Sequence, residues 1–113
     1  MLPKNNRLST TYEFAKTKKF GDKFFSENFY LYILPVENSP LRVGVVVSKH
    51  FSKIAVERNK AKRLINECFR QNLANLKDNF WIVVYPKKEI LGKKYEEISL
   101  DFNKFLSDLP ISR

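Results

Sequence analysis

Residues 52–73, SKIAVERNKAKRLINECFRQNL, decide how this chain is read. On a helical wheel of about 100° per residue, Ala61, Leu64, Ile65, Cys68 and Phe69 gather in one sector, and Asn59, Arg63, Asn66 and Arg70 gather in the opposite one. The spacing predicts an amphipathic helix of about five turns. Its polar side is short of acid. Between Lys49 and Arg70 the chain carries seven Lys or Arg and only two acidic residues, Glu57 and Glu67. A helix that merely has to stay solvated interleaves Glu four residues from Lys to balance its charge. Arg supplies a planar bidentate fork for phosphates, and Asn can hydrogen-bond base edges or sugar hydroxyls. The pattern therefore favours a nucleic-acid surface over a bland solvated face.

Upstream, KFFSENFYLYILPV (residues 23–36) is aromatic and β-branched, and ENSP (37–40) marks a turn before LRVGVVVSK (41–49). The three together read as an antiparallel pair of strands. In the first strand Phe29, Leu31 and Ile33 point one way and Tyr30, Tyr32 and Leu34 the other, so tyrosines line one face of the sheet. Aromatics on an open sheet face beside positive charge can stack unpaired bases, at roughly 1 to 3 kcal/mol per base. The same tyrosines can also pack beneath a helix with their hydroxyls at the rim, and the residues leave both readings open. RNA is preferred to DNA, because no two short helices are joined by a Gly turn as a helix-turn-helix reader requires.

Further upstream, RLSTTYEFAKTKKFG (7–21) predicts a first helix, with Thr10 and Glu13 spaced as a capping box and Gly21 as a stop. Phe14 is its main apolar anchor, and Lys16, Lys18 and Lys19 face the negative pole of its dipole. Downstream, FWIVVYP (80–86) reads as a buried strand closed by Pro86. A basic loop then leads to a last helix, where Tyr95, Ile98, Phe102, Phe105, Leu106 and Leu109 recur at helical spacing with Glu96, Glu97, Asp101 and Asp108 outside.

At 113 residues the chain is expected to form one domain. Its 21 Lys+Arg against 12 Asp+Glu give a net charge of +9, which favours a polyanionic partner. A membrane is the weaker choice: no apolar run approaches the length of a spanning helix, and residues 1–7 lead into no signal-type apolar stretch. A cytoplasmic protein is expected. Cys68 and His50 are the only residues of their types, so neither an intrachain disulfide nor a Cys/His metal cluster can form. Cys68, on the apolar sector, reads as a small buried hydrophobe, and His50 as a surface residue. Three glycines, at 21, 44 and 92, make no phosphate loop. A free-standing protein nuclease would need a carboxylate cluster or a general-base His, and Glu96, Glu97 and Asp101 form only an exposed stripe. Binding remains.

The stretch VGVVVSKHFSKIAVERNKAKRLINECFR, residues 43–70, resembles the signature of the bacterial ribonuclease P protein subunit, in which a strand ending in Ser-Lys leads to a helix opening Ala-Val-x-Arg-Asn-x-x-Lys-Arg. Ala55, Val56, Arg58, Asn59, Lys62 and Arg63 match it. The first helix, FYLYIL and DNFWIVVYP are similar to the family's as well. The resemblance implies a single RNA-binding domain over residues 1–113 with an α+β fold. This is an α-β-β-β-α-β-α sandwich on a mixed four-stranded sheet, its first strand near residues 20–25. It also implies a left-handed parallel crossover, where the general rule would give a right-handed one.

By the same resemblance the holoenzyme is a ribonucleoprotein. Its large RNA holds the Mg²⁺ and cleaves the 5′ leader from precursor tRNA, and the protein carries no catalytic side chain, metal or cofactor. Lys49, Lys53, Arg58, Asn59, Lys60, Lys62, Arg63, Asn66 and Arg70 would face the catalytic RNA, and Phe14, Lys18, Tyr30 and Tyr32 would line a cleft for the single-stranded leader. No obligate protein partner is implied. The sequence departs from the family's pattern at Lys60, where Arg is usual, at Asn66, where Arg is often found, at Lys18, where an aromatic is often found, and in the connector SKHFSKIAVERN, one residue longer and lacking a Gly. The rival reading is a general RNA-binding or ribosome-associated accessory protein.

Overall fold

The computed structural model describes residues 2–112. Helix α1 (Thr11–Phe20) starts where the sequence says it should. The Thr10 hydroxyl accepts from the Glu13 amide at 3.1 Å, and Glu13 Oε1 accepts in return from the Thr10 amide at 3.0 Å, closing the capping box. Gly21 ends the helix for a reason other than a left-handed turn. Its φ is −77°, and a Cβ there would stand 2.5 Å from the Thr17 carbonyl oxygen and 3.0 Å from that of Ile33. Close approach of backbone, not positive φ, excludes a side chain.

Strands β1 (Asp22–Phe25) and β2 (Phe29–Pro35) form a hairpin, so the apparent single strand of residues 23–36 breaks at residues 26–28. There Ser26 Oγ accepts from the Phe29 amide at 3.2 Å, and the Lys87 amide donates to the Asn28 carbonyl at 2.8 Å. β1 lies in the interval that the family resemblance implied for the first strand. β3 (Arg42–Val45), helix α2 (Ala55–Asn72), β4 (Phe80–Pro86) and helix α3 (Tyr95–Leu106) complete an α-β-β-β-α-β-α order, with short 3-10 turns at Lys4–Asn6, Leu73–Asn75 and Lys88–Ile90.

The sheet order is β1-β2-β4-β3, antiparallel at β1/β2 and β2/β4 and parallel at β3/β4. The expected antiparallel pairing of β2 with β3 is therefore wrong: β4 lies between them. The cause is burial. Ile82, Val83 and Val84 are all at 0% exposure, so the strand apolar on both faces takes an interior place. The turn that seemed to close a β2–β3 hairpin is instead bonded to the entry of β4. The Val36 amide donates to the Asn79 carbonyl, the Ser39 amide to Asn79 Oδ1, and the Leu41 amide to Asp78 Oδ1.

Alternation along β2 divides the two faces as expected. Phe29, Leu31 and Ile33 are buried with Val43, Val45, Ile82 and Val84 under α2 and α3. Phe102 of α3 sits 4.8 Å from Phe69 of α2 and 5.8 Å from Phe29, ring centre to ring centre, which ties both helices to the sheet. On the opposite face α1 covers part of β2 and β4 and leaves the tyrosines half-buried. The N-terminal segment, to which the sequence assigns no element before residue 7, has a structural role. Leu2 and Leu8 are buried, and the Leu8 amide donates to the Val43 carbonyl at 3.1 Å, covering the edge that β3 would otherwise expose.

Candidate nucleic-acid interface

α2 presents its apolar sector inward: Ala61, Ile65, Cys68 and Phe69 are buried, and Leu64 is half-buried. Burial pushes the Cys68 thiol up to about 12, with the neighbouring Glu67 charge adding to the effect, so it behaves as the buried hydrophobe that its position suggested. The connector before α2 is organised by two residues. Phe51 is buried as a plug, and Ser52 Oγ accepts from the Ile54 amide at 3.1 Å while donating to Glu57 Oε1 at 2.6 Å. Arg58 Nη1 donates to the Ser52 carbonyl at 2.9 Å, which fixes the first arginine of the helix against its own entry turn. Lys49 and Lys53 project from this connector and are exposed.

Along the outer side of α2, Asn59, Lys60, Lys62 and Arg63 are exposed and Asn66 is half-buried. Among the described residues Lys60, Lys62 and Arg63 make no salt bridge. Arg70 differs from its neighbours. Its Nε donates to both carboxylate oxygens of Glu67 at 3.1 Å, its Nη2 pairs with Glu67 Oε1, and Gln71 Nε2 donates to the same oxygen at 3.0 Å. The Arg70 and Gln71 hydrogen bonds hold the Glu67 carboxyl down at about 2, so Arg70 is a neutralised cation rather than a free one.

The second surface is the tyrosine face. Tyr30 stacks on Tyr85 with ring centres 5.0 Å apart and planes 8° apart, and Tyr32 meets Tyr85 edge-on at 6.0 Å. Lysines ring this cluster. Lys23 Nζ lies 4.7 Å from the centre of Tyr30, 5.6 Å from Tyr32 and 4.8 Å from Phe25, while Lys18 Nζ lies 5.4 Å from Tyr85. Burial, with Tyr30 and Tyr32 beside it, raises the Tyr85 phenol above its usual range against the pull of Lys18. Tyr30 and Tyr85 of this cluster border a cleft of about 480 Å³ lined also by Val46, His50, Phe51 and Lys87. Sequence reasoning placed Lys18, Tyr30 and Tyr32 here and missed Tyr85, Lys23 and Phe25. The sequence shows only that Trp81, Val83 and Tyr85 share one parity of β4; the register that sets Tyr85 opposite Tyr30 assigns that parity to the tyrosine face.

Phe14 lies on the same face, at the β3 edge, since Gly44 registers with Val83 and Val83 with Tyr32. A Cβ on Gly44 would meet its ring at 2.3 Å, so Phe14 rests on the bare backbone of β3. There it lines a recess of about 240 Å³ with Leu8, Lys62 and Asn66. The α2 face and the α1 side of the sheet thus meet at the β3 edge. Nearby, Glu13 is buried. Burial raises its carboxyl, but hydrogen bonds from the Ser9 and Thr10 amides and hydroxyls outweigh this and leave it below 4.5. Arg42 Nη1 approaches Glu13 Oε2 at 3.5 Å. Among the described residues no group of three or more His, Cys, Asp or Glu is arranged to hold a metal ion, and no helix is long and apolar enough to cross a membrane.

Comparison with known proteins gives a consistent picture. The family model for Ribonuclease P matches residues 2–110. The ribonuclease P protein component of Pseudanabaena sp. (strain PCC 6903) is 40% identical over 108 residues, which are 95% of this chain and 93% of that protein. That of Chlamydia muridarum is 36% identical over 112 residues, 97% of this chain and 92% of that protein. Among solved structures, the RNase P protein of Thermotoga maritima in complex with 1-(4-fluorophenyl)-2-thiourea superposes with a TM-score of 0.80 at 27% identity, covering 91% of this chain and 99% of that one. The Staphylococcus aureus RNase P protein, at 23% identity, shares the fold with a TM-score of 0.85 over 97% of this chain and 100% of that one. This chain belongs to the ribonuclease P protein component family, whose role is the 5′ processing of tRNA.

Proposed function

We propose that the protein binds the catalytic RNA of ribonuclease P through α2 and the single-stranded 5′ leader of precursor tRNA through the tyrosine cleft. It thereby assists an endonucleolytic cleavage performed by the RNA with its own Mg²⁺. The observation that carries this reading is the pairing of two different surfaces across one strand edge. Lys60, Lys62 and Arg63 stand without salt bridges on α2 among the described residues, and Tyr30, Tyr32 and Tyr85 form a cluster ringed by Lys18 and Lys23 on the other side. The first set suits the phosphates of a folded RNA. The second suits unpaired bases, which stack on aromatic rings while lysines meet the phosphates between them.

The protein's contribution is electrostatic. Enzyme RNA and leader are both polyanions, and a strongly cationic wedge between them lowers their repulsion, so cleavage proceeds at lower Mg²⁺ than the RNA needs alone.

Mixing the purified protein with a ribonuclease P RNA and precursor tRNA at limiting Mg²⁺ tests the whole reading. Cleavage that requires both components is expected. Lack of stimulation would favour a general RNA-binding accessory role, and cleavage by the protein alone would point to a protein nuclease. For the cleft, Tyr32→Ala is expected to weaken holoenzyme binding of precursor tRNA by roughly 5- to 150-fold, the worth of one stacked base, and to leave mature tRNA binding unchanged. Equal losses for both substrates would remove the leader from the cleft.

A further inference from the structure

Where α3 begins beside the outer side of α2, Tyr95 and Leu64 line a recess of about 540 Å³ together with Asn59, Lys62, Arg63 and Asn66. Its character is mixed. Tyr95 and Leu64 are half-buried and packed against the core, whereas Asn59, Lys62 and Arg63 are exposed. Helical spacing assigned Tyr95 to the apolar face of α3, and the structure places it at the margin of that face. Among the described residues one acid, Glu67, borders the recess, and Arg70 already engages it.

An aromatic ring set among cations is the combination found at the tyrosine cleft, here on a separate surface. We propose that Tyr95 receives one unpaired nucleobase of the RNA that docks on α2. The base stacks on the phenol ring beside Leu64, Lys62 and Arg63 hold the flanking phosphates, and the amides of Asn59 and Asn66 meet the polar edge of the base. The charge of the surroundings selects a polyanion. The apolar lining selects a group that can leave water on one face, and of the parts of an RNA only a base does so. That base must be splayed out of a helix, because paired bases in A-form RNA keep their faces stacked. The inference rests on α2 being the docking face for the catalytic RNA, and adds to it a contact with a single nucleotide.

The test uses the full protein and a ribonuclease P RNA. Tyr95→Phe keeps the ring, Tyr95→Leu keeps apolar volume without it, and Arg63→Ala reports on docking itself. Tyr95→Phe is expected to bind as the unaltered protein does, while Tyr95→Leu weakens RNA binding by roughly 5- to 150-fold. Chemical probing of base edges over the whole RNA should show one unpaired base protected by the unaltered protein and released by Tyr95→Leu. Independently of any variant, photocrosslinking of a thiouridine-substituted RNA to the unaltered protein, read by mass spectrometry, should place a crosslink on Tyr95. Crosslinks to α2 with none on Tyr95 overturn the inference, as does Tyr95→Leu binding normally while Arg63→Ala binds weakly. If neither variant weakens binding, the docking face itself is misassigned.

Discussion

Glu67 offers a sharp test of the electrostatic reading, because its removal should improve a binding face. The carboxylate sits on the outer side of α2 and pairs with Arg70, and its carboxyl is held at about 2, so it stays charged throughout the neutral range. Glu67→Ala deletes that anion and frees one guanidinium. In the counterion-release description each added phosphate contact steepens the dependence of log K on log salt by about 0.7 to 0.9. At about 0.15 M salt this corresponds to roughly four- to fivefold tighter binding. Arg63→Ala removes a cation that makes no salt bridge among the described residues and should flatten the slope by a similar amount. Arg70→Ala, which also leaves Glu67 unpaired on the face, removes a guanidinium already engaged and should flatten the slope by less. Fluorescence anisotropy of a labelled ribonuclease P RNA over a salt series measures all three. Exposed ion pairs contribute little to folding, so the variants should melt like the parent. Weaker RNA binding by Glu67→Ala, or identical slopes for Arg63→Ala and the parent, would refute the assignment of this face.

Gly44→Ala places a methyl where the Phe14 ring now lies, 2.3 Å away, and overpacking of this kind destabilises by about 1 to 3 kcal/mol. Thermal melting checks it, and an unchanged transition would mean that Phe14 does not rest on β3. Glu13 has its folded-state carboxyl below 4.5, so the stability that it contributes is present above that value and disappears as pH falls through the lower folded value. Glu13→Gln should therefore lose less of its melting temperature on acidification than the parent, and parallel acid limbs would show that the capping box carries no such linkage.

Local signals in the sequence were sound where the chemistry is local. Thr10 and Glu13 sit three residues apart, and the box closes; the alternation of Phe29, Leu31 and Ile33 with two tyrosines predicts the faces of β2; the wheel of α2 predicts its buried residues. Errors arose where a neighbour distant in sequence decides. β2 and β3 are joined by a turn, but β4 arrives later and, being apolar on both faces, displaces β3 to the edge. Tyr85 was absorbed into an apolar run whose parity only the register with β2 assigns to the tyrosine face. Counting charges between Lys49 and Arg70 registered the shortage of acid but could not register that Glu67, three residues before Arg70, offsets one particular cation.

Phe14 shows what such a distant neighbour can change in function. The resemblance groups it with the tyrosines, and it rests on Gly44 of the same sheet face, in a recess shared with Lys62 and Asn66 of α2. β3 is four residues long and an edge strand, and its central glycine lets the α1 aromatic come down onto it. A larger residue at position 44 would lift Phe14 away and open a gap between the cationic helix and the aromatic face. The two surfaces are therefore joined by the recess that Phe14 shares with Lys62 and Asn66. One bare position in β3 keeps them continuous, so that under the proposed function a polyanion leaving α2 would reach the tyrosine side past Lys62, Asn66 and Phe14.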